Sequence, residues 1–229
     1  MDKIQKTIRI IAFLMIVETI IAVLTWIPQV AAATNIIRKT SEDTLYYNWL
    51  CTFTNIFFVA LYVWLFILLR KIYNIKLWKA ASILAFVSGG MSILVILAIL
   101  ANFMLTNNDL THYHTLNSII YAWSHLAFLL LIIAVIFIAI KFKSGSLSYI
   151  GGISYSIVSS MSLIYQLVHP IIQMHFFNNY GIQFIETTTF IIIDTIIPLV
   201  LAIGGNICFI FFLFGLSKDS PRDLASNNA

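Results

Sequence analysis

Six apolar runs, each long enough to cross a bilayer, constrain this chain more than any other feature. They lie at about 7–29, 48–69, 79–104, 117–140, 148–172 and 188–216. A hydrocarbon core about 30 Å thick needs roughly 20 helical residues, and each backbone polar group inside it must be satisfied within its own segment. The sequence therefore predicts an all-α fold: a polytopic membrane protein with a bundle of six transmembrane helices.

These runs occupy most of the chain and leave no room for a separate soluble domain. Charged residues make up 10% of the chain, whereas a soluble domain carries about 25%. We predict one six-helix transmembrane domain over 1–217, followed by a polar, disordered tail over 218–229.

The basic residues are concentrated on one side of the predicted bundle. Eleven of the 13 lie before or at the start of run one, between runs two and three or at the start of run three, between runs four and five, or after run six. The positive-inside rule then predicts that both termini are cytoplasmic. Because these residues form no patch, the net charge of +4 does not indicate a nucleic-acid partner. Abundant Ile and Asn, without an organellar signal, favour a bacterial plasma membrane.

Four polar residues inside the runs are candidate catalytic groups. Glu18 lies in run one, Thr52 in run two, His125 in run four and Asp194 in run six. An ionisable side chain at the bilayer centre costs about 2.5–3.5 kcal/mol on insertion scales, so such residues usually face a partner or a functional cavity. A rise of about 1.5 Å per residue places all four in one layer in the outer half of the bilayer.

A second set of polar residues is predicted to line a cavity in the same layer. Run five carries a stripe at intervals of three and four residues, which cannot face lipid and must face the bundle interior or water. Pro170 is expected to end or kink this helix. The predicted cavity-lining residues are Asn55, Tyr121, Ser162, Gln166 and His169.

Metal and cofactor chemistry is not indicated. His112 and His114 follow Asp109 in a predicted outer loop, where solvated side chains are the better interpretation of so few ligands. The sequence therefore predicts no metal site and no cofactor.

Short motifs in three parts of the chain suggest a family. They are Thr52-Phe53-Thr54-Asn55-Ile56, Leu116-Asn117 leading to His125, and Tyr180-Gly181-Ile182-Gln183-Phe184. In layout and motifs the chain resembles the androgen-induced-gene-product family, which includes the androgen-dependent regulator of tissue factor pathway inhibitor and bacterial six-helix relatives. Eukaryotic members are threonine hydrolases that cleave esters between fatty acids and hydroxy fatty acids. The resemblance implies that Thr52 is a nucleophile and His125 its general base.

Three functions remain open at this stage. The first is an intramembrane hydrolase of lipid esters, in which Asp194 or Glu18 orients the histidine and membrane lipids are the partners. The second is a small transporter or solute-binding subunit whose polar cavity takes a small solute. The third is a structural or regulatory membrane protein whose polar residues only join helices. The sequence leaves open whether the chain is an enzyme and carries no signal for an oligomeric state.

Overall fold

The computed structural model describes residues 2–33, 56–70, 76–105, 110–180 and 196–219. These residues form six helices, and no strand occurs among them. Five of the helices are long and apolar enough to cross a membrane, and the sixth is a shorter apolar helix. This confirms the all-α prediction and is compatible with a multi-pass membrane protein.

The helices follow the predicted apolar runs closely. We number them in chain order: α1 is Asp2–Ala33, α2 is Ile56–Arg70, α3 is Lys76–Leu105, α4 is Leu110–Ala139, α5 is Leu147–Tyr180 and α6 is Ile197–Leu216. The early part of run two and the first residues of run six lie outside the described residues.

Two expected features near the ends of α4 and α5 differ in the structure. Helix α4 already begins at Leu110, so His112 and His114 lie in a helix and not in a loop. Helix α5 does not end at Pro170 but continues to Tyr180. Proline removes one N–H and its ring needs space, and Pro170 is exposed, so the ring points away from the neighbouring helices.

Helices α5 and α6 pack against each other at short range, and glycines make this contact possible. A Cβ on Gly151 would collide with backbone atoms of Phe212, and one on Gly215 would collide with those of Leu147 and Ser148. Small residues let two helix backbones approach this closely. Helix α5 also packs against α4, which packs against α3, and α1 packs against α6.

Helix α2 joins the bundle through α3 and α6. A Cβ on Gly89 of α3 would lie 2.5 Å from a methyl carbon of Val63. The rings of Phe58 and Phe209 are tilted, with centroids 6.2 Å apart. Helix α2 therefore buries one face against both helices.

One end of the bundle is fastened by contacts between helix ends. The rings of Trp78 and Phe142 stack with centroids 5.8 Å apart, which joins the start of α3 to the residues after α4. Asp219 Oδ2 accepts hydrogen bonds from the Ser148 backbone N–H at 2.7 Å and from the Ser148 hydroxyl at 2.8 Å. A carboxylate there accepts a hydrogen bond from a backbone N–H at the start of α5 that has no partner within the helix. Its negative charge also interacts favourably with the positive end of the helix dipole. We call this contact the Asp219 clamp.

The outer faces of the helices are apolar. Helix α3 shows the pattern best, with exposed residues at intervals of three and four along one side. Lipid is the environment that such a surface suits, since water-soluble monomers rarely expose so large an apolar area. These exposed residues of α3 are Ile83, Phe86, Val87, Ile93, Leu94 and Leu97.

Candidate functional site

Glu18 lies inside the bundle, as predicted. It continues the inward face of α1 formed by Ile8, Ile11 and Met15, and only 5% of its surface is exposed. Among the described residues, no hydrogen-bond partner reaches its Oε2 atom. The adjacent Thr19 hydroxyl donates a hydrogen bond to the Met15 carbonyl oxygen at 2.8 Å. The protein therefore buries a carboxyl group inside the helix bundle, and one of its oxygens has no hydrogen-bond partner among the described residues.

His125 also faces the interior of the bundle. It lies on α4 and exposes 8% of its surface, in line with the buried residues Ile132 and Ala139 of the same helix. The hydroxyl oxygen of Ser124 is 3.4 Å from Nδ1 of His125. An imidazole in this position is enclosed by protein and lies beside a hydroxyl group.

The polar stripe of α5 is enclosed along only part of its length. Tyr155, Ser159 and Ser162 are buried, but Gln166 is exposed and His169 is partly exposed. The Gln166 amide N–H donates to the Ser162 hydroxyl at 3.4 Å, so it turns back along its own helix. Of the two alternatives predicted for the stripe, the bundle interior or water, Gln166 does not take the first, and whether it lines a cavity stays a prediction.

The upper part of this stripe contains an aromatic contact. The rings of Tyr165 and His169 stack with centroids 5.2 Å apart. This contact holds His169 against its own helix, one turn after Tyr165 in the chain. Whether His169 lines a cavity stays a prediction.

Several predicted site residues lie outside the described part of the chain. These are Thr52, Asn55 and Asp194. Tyr121 belongs to α4, but its side chain is not among those described. The pairing of Thr52 with His125, and the orienting role of Asp194, therefore stay predictions.

A hydroxyl bridge between three helices was not anticipated from the sequence. Ser88 of α3 donates to the Ala127 carbonyl oxygen of α4 at 2.7 Å, and its oxygen is 3.1 Å from the Tyr62 hydroxyl of α2. Because the Ser88 proton is used by Ala127, Tyr62 is the donor of the second bond. The sequence signal for this bridge is that Tyr62 follows Thr52 and Asn55 by ten and seven residues, which is helical spacing.

Residues that hold metals in other proteins do not gather in the described part of the chain. No group of three or more His, Cys, Asp or Glu side chains there is arranged to bind a metal ion. Cys208, a potential metal ligand on α6, is a free thiol that is partly buried. The polar side chains that are buried in the described part of the chain are hydroxyl groups, one imidazole and one carboxyl group.

Comparison with known proteins returned no relative: no family model, curated protein or solved structure matches this chain. The resemblance drawn from the sequence motifs therefore stays a prediction. Among the described residues, Glu18 and His125 provide the carboxyl group and the imidazole that are buried inside the bundle.

Proposed function

We propose that this protein is an intramembrane hydrolase of lipid esters in a bacterial plasma membrane. The observation that carries the proposal is the burial of His125 on the inward face of α4. A general base for an intramembrane reaction has to be shielded from lipid and held within reach of a nucleophile. His125 meets the first requirement, and the shared predicted depth of Thr52 and His125 supports the second.

The depth of the buried polar groups supports a shared site. The candidate spans are Ile4–Leu24 of α1, Ala122–Ala139 of α4 and Leu147–Ile172 of α5. The position of a residue is counted along its span from the end that lies nearer the basic residues. At about 1.5 Å per residue, Glu18, His125 and Ser162 then lie about 21–23 Å along their helices. Three helices thus contribute buried polar side chains at the same level.

The chemistry follows from the residue types. A threonine hydroxyl is a weak nucleophile until a base accepts its proton. In the proposed reaction, His125 takes the proton of Thr52 as its oxygen attacks the ester carbonyl carbon. The same proton then goes to the departing alcohol oxygen, and water hydrolyses the acyl-threonine. A carboxylate, from Asp194 or Glu18, orients the imidazole and stabilises its charged form.

A lipid ester is the substrate class that suits this location. The proposed site lies at membrane depth, and the outer faces of the helices are apolar. A substrate with acyl chains reaches such a site laterally from the bilayer, without crossing water. Membrane lipids are therefore the proposed partners.

Labelling with a fluorophosphonate probe tests the proposal on the purified full chain. We expect labelling of the wild-type protein and its loss in both Thr52→Ala and His125→Ala. Thr54→Ala is the matched control, because two residues of helix turn Thr54 to the opposite side from Thr52 in the predicted helix. Ser124→Ala checks a hydroxyl group that lies beside His125.

The labelling results have clear readings. Labelling that survives Thr52→Ala and His125→Ala rules out the proposed pair, and loss in Ser124→Ala alone moves the nucleophile to Ser124. Each variant is compared with the wild type by its elution profile in detergent, so that loss of folding is recognised.

A second function is favoured by one observation, the partly unpartnered carboxyl group of Glu18. We propose as the alternative that Glu18 takes part in proton-coupled movement of a small solute. Ionisable residues in membrane spans commonly mark such pathways. Proton uptake into proteoliposomes that is lost in Glu18→Gln and retained in His125→Ala supports this function over the hydrolase. Equal uptake by Glu18→Gln and the wild type rejects it.

A further inference from the structure

Glu18 is the only Asp or Glu in the apolar spans that the structure describes. It is almost fully buried, it forms no ion pair with a described residue, and one of its oxygens has no hydrogen-bond partner among them. An isolated ionised carboxylate in a low-dielectric interior is so unfavourable that the group usually neutralises instead. The state of this carboxyl group therefore needs a physical explanation.

The described residues of the helices that pack around Glu18 offer no positive charge at its level. On its own helix the nearest basic residue is Arg9, which is exposed and lies about 13 Å along the helix axis. Helix α6 packs along α1, and its sole titratable group between Ile197 and Leu216 is Cys208. Helix α2 contributes Tyr62, which is buried, and Arg70, which is exposed.

The remaining helices add one titratable group at the level of Glu18. His125 of α4 lies at the same distance along its helix, and α5 contributes the hydroxyl group of Tyr155 deeper in the core. Among the described residues, no Lys or Arg lies at the level of Glu18 in these spans.

We propose that Glu18 is a proton-binding site inside the bundle, holding one exchangeable proton at neutral pH. This inference rests on the second function proposed above, and it names the proton as the ligand of that site. On release, the carboxylic acid and a water molecule become a carboxylate and a hydronium ion, so atoms and charge balance. A neutral Glu18 cannot stabilise an imidazolium, so the orienting role in the hydrolase passes to Asp194.

Two measurements on the full chain test the proton directly. The first is the infrared difference spectrum of wild type minus Glu18→Gln at neutral pH, in detergent. A protonated carboxyl group gives a carbonyl stretching band that is separate from the carboxylate bands. We expect this band in the wild type, its loss in Glu18→Gln and its retention in Asp194→Asn, the matched control in run six.

The second measurement is reaction with dicyclohexylcarbodiimide, an apolar reagent selective for protonated carboxyl groups in membranes. The carboxyl proton moves to a carbodiimide nitrogen and the carboxylate oxygen bonds to the central carbon, giving an adduct without a leaving group. We expect the adduct on the peptide that contains Glu18, with labelling that declines as the pH is raised. Because it needs only the wild-type chain, this readout holds even if Glu18→Gln fails to fold.

The outcomes separate the proton site from the transport function. A wild-type spectrum in which Glu18→Gln removes a carboxylate band, and no protonated band, overturns the proposal. Labelling of the Glu18 peptide that is insensitive to pH overturns it as well. If the protonated band is present but proteoliposomes show no proton uptake, the site stands and the carrier function fails.

Discussion

The contact between α5 and α6 gives a quantitative prediction about two glycines. A Cβ added to Gly151 would lie 2.8 Å from Cα of Phe212 and 2.9 Å from the carbonyl carbon of Phe211. Ordinary contacts between carbon atoms lie at about 3.5–4.0 Å. The obstructing atoms belong to the backbone, so the helices have to separate by about 0.7 Å or more to reach that range.

The expected loss of stability follows from this clash. Overpacking a close-packed interior costs typically about 1–3 kcal/mol. Replacing glycine by alanine also favours the helix by about 0.8–1.0 kcal/mol in water. Gly90 provides the matched control, because it is a helical glycine with nothing within 4 Å of an added Cβ. The helix preference cancels between Gly151→Ala and Gly90→Ala, so the first should be less stable by about 1–3 kcal/mol.

Equilibrium unfolding in mixed detergent micelles, followed by circular dichroism, measures this difference. Gly215→Ala is an independent second site, since its Cβ would lie 2.6 Å from both the Leu147 carbonyl carbon and the Ser148 Cα. We expect both variants to fall below Gly90→Ala. Stabilities of all three within about 0.5 kcal/mol would refute the close packing of α5 and α6, because that is the range of neutral surface substitutions.

Two further predictions concern hydrogen bonds between distant parts of the chain. Ser88→Ala removes the bridge and takes the Ser88 acceptor away from the buried Tyr62 hydroxyl. This should lower the free energy of unfolding by about 1–2 kcal/mol. The double variant with Tyr62→Phe should recover part of the loss. Asp219→Ala removes the clamp, which should lower the free energy of unfolding by about 1 kcal/mol and speed amide hydrogen exchange at Ser148. Asp219→Asn keeps a hydrogen-bond acceptor, so its free energy of unfolding should fall less. An unchanged exchange rate at Ser148 in Asp219→Ala would contradict the clamp.

The helices were predictable because their signal is local. Each apolar run is a property of consecutive residues, and the structure has a helix at every one of the six. The end of α5 was harder to predict, because a proline ends a helix only where its ring and the freed carbonyl group cannot be accommodated. The exposed position of Pro170 decides this, and exposure depends on the packing of other helices.

The candidate site was predictable in part for a similar reason. Burial of Glu18 and His125 follows from the high cost of placing an ionisable group in lipid, which needs no knowledge of neighbours. A neutral amide is less costly, and Gln166 relieves its cost by bonding within its own helix. The bonds of Ser88 and Asp219 join residues 39 and 71 positions apart, and nothing in the local pattern specifies those partners.

The Asp219 clamp also bears on the order in which the protein is assembled. Ser148 and Asp219 are separated by 71 positions in the chain, so α5 leaves the ribosome well before its carboxylate partner exists. During that interval, the backbone N–H of Ser148 at the start of α5 has water or lipid headgroups as partners. The clamp closes only after α6 has been synthesised and has returned to the same end of the bundle. The clamp therefore forms only when α5 and α6 have paired, and a chain released before residue 219 would lack it.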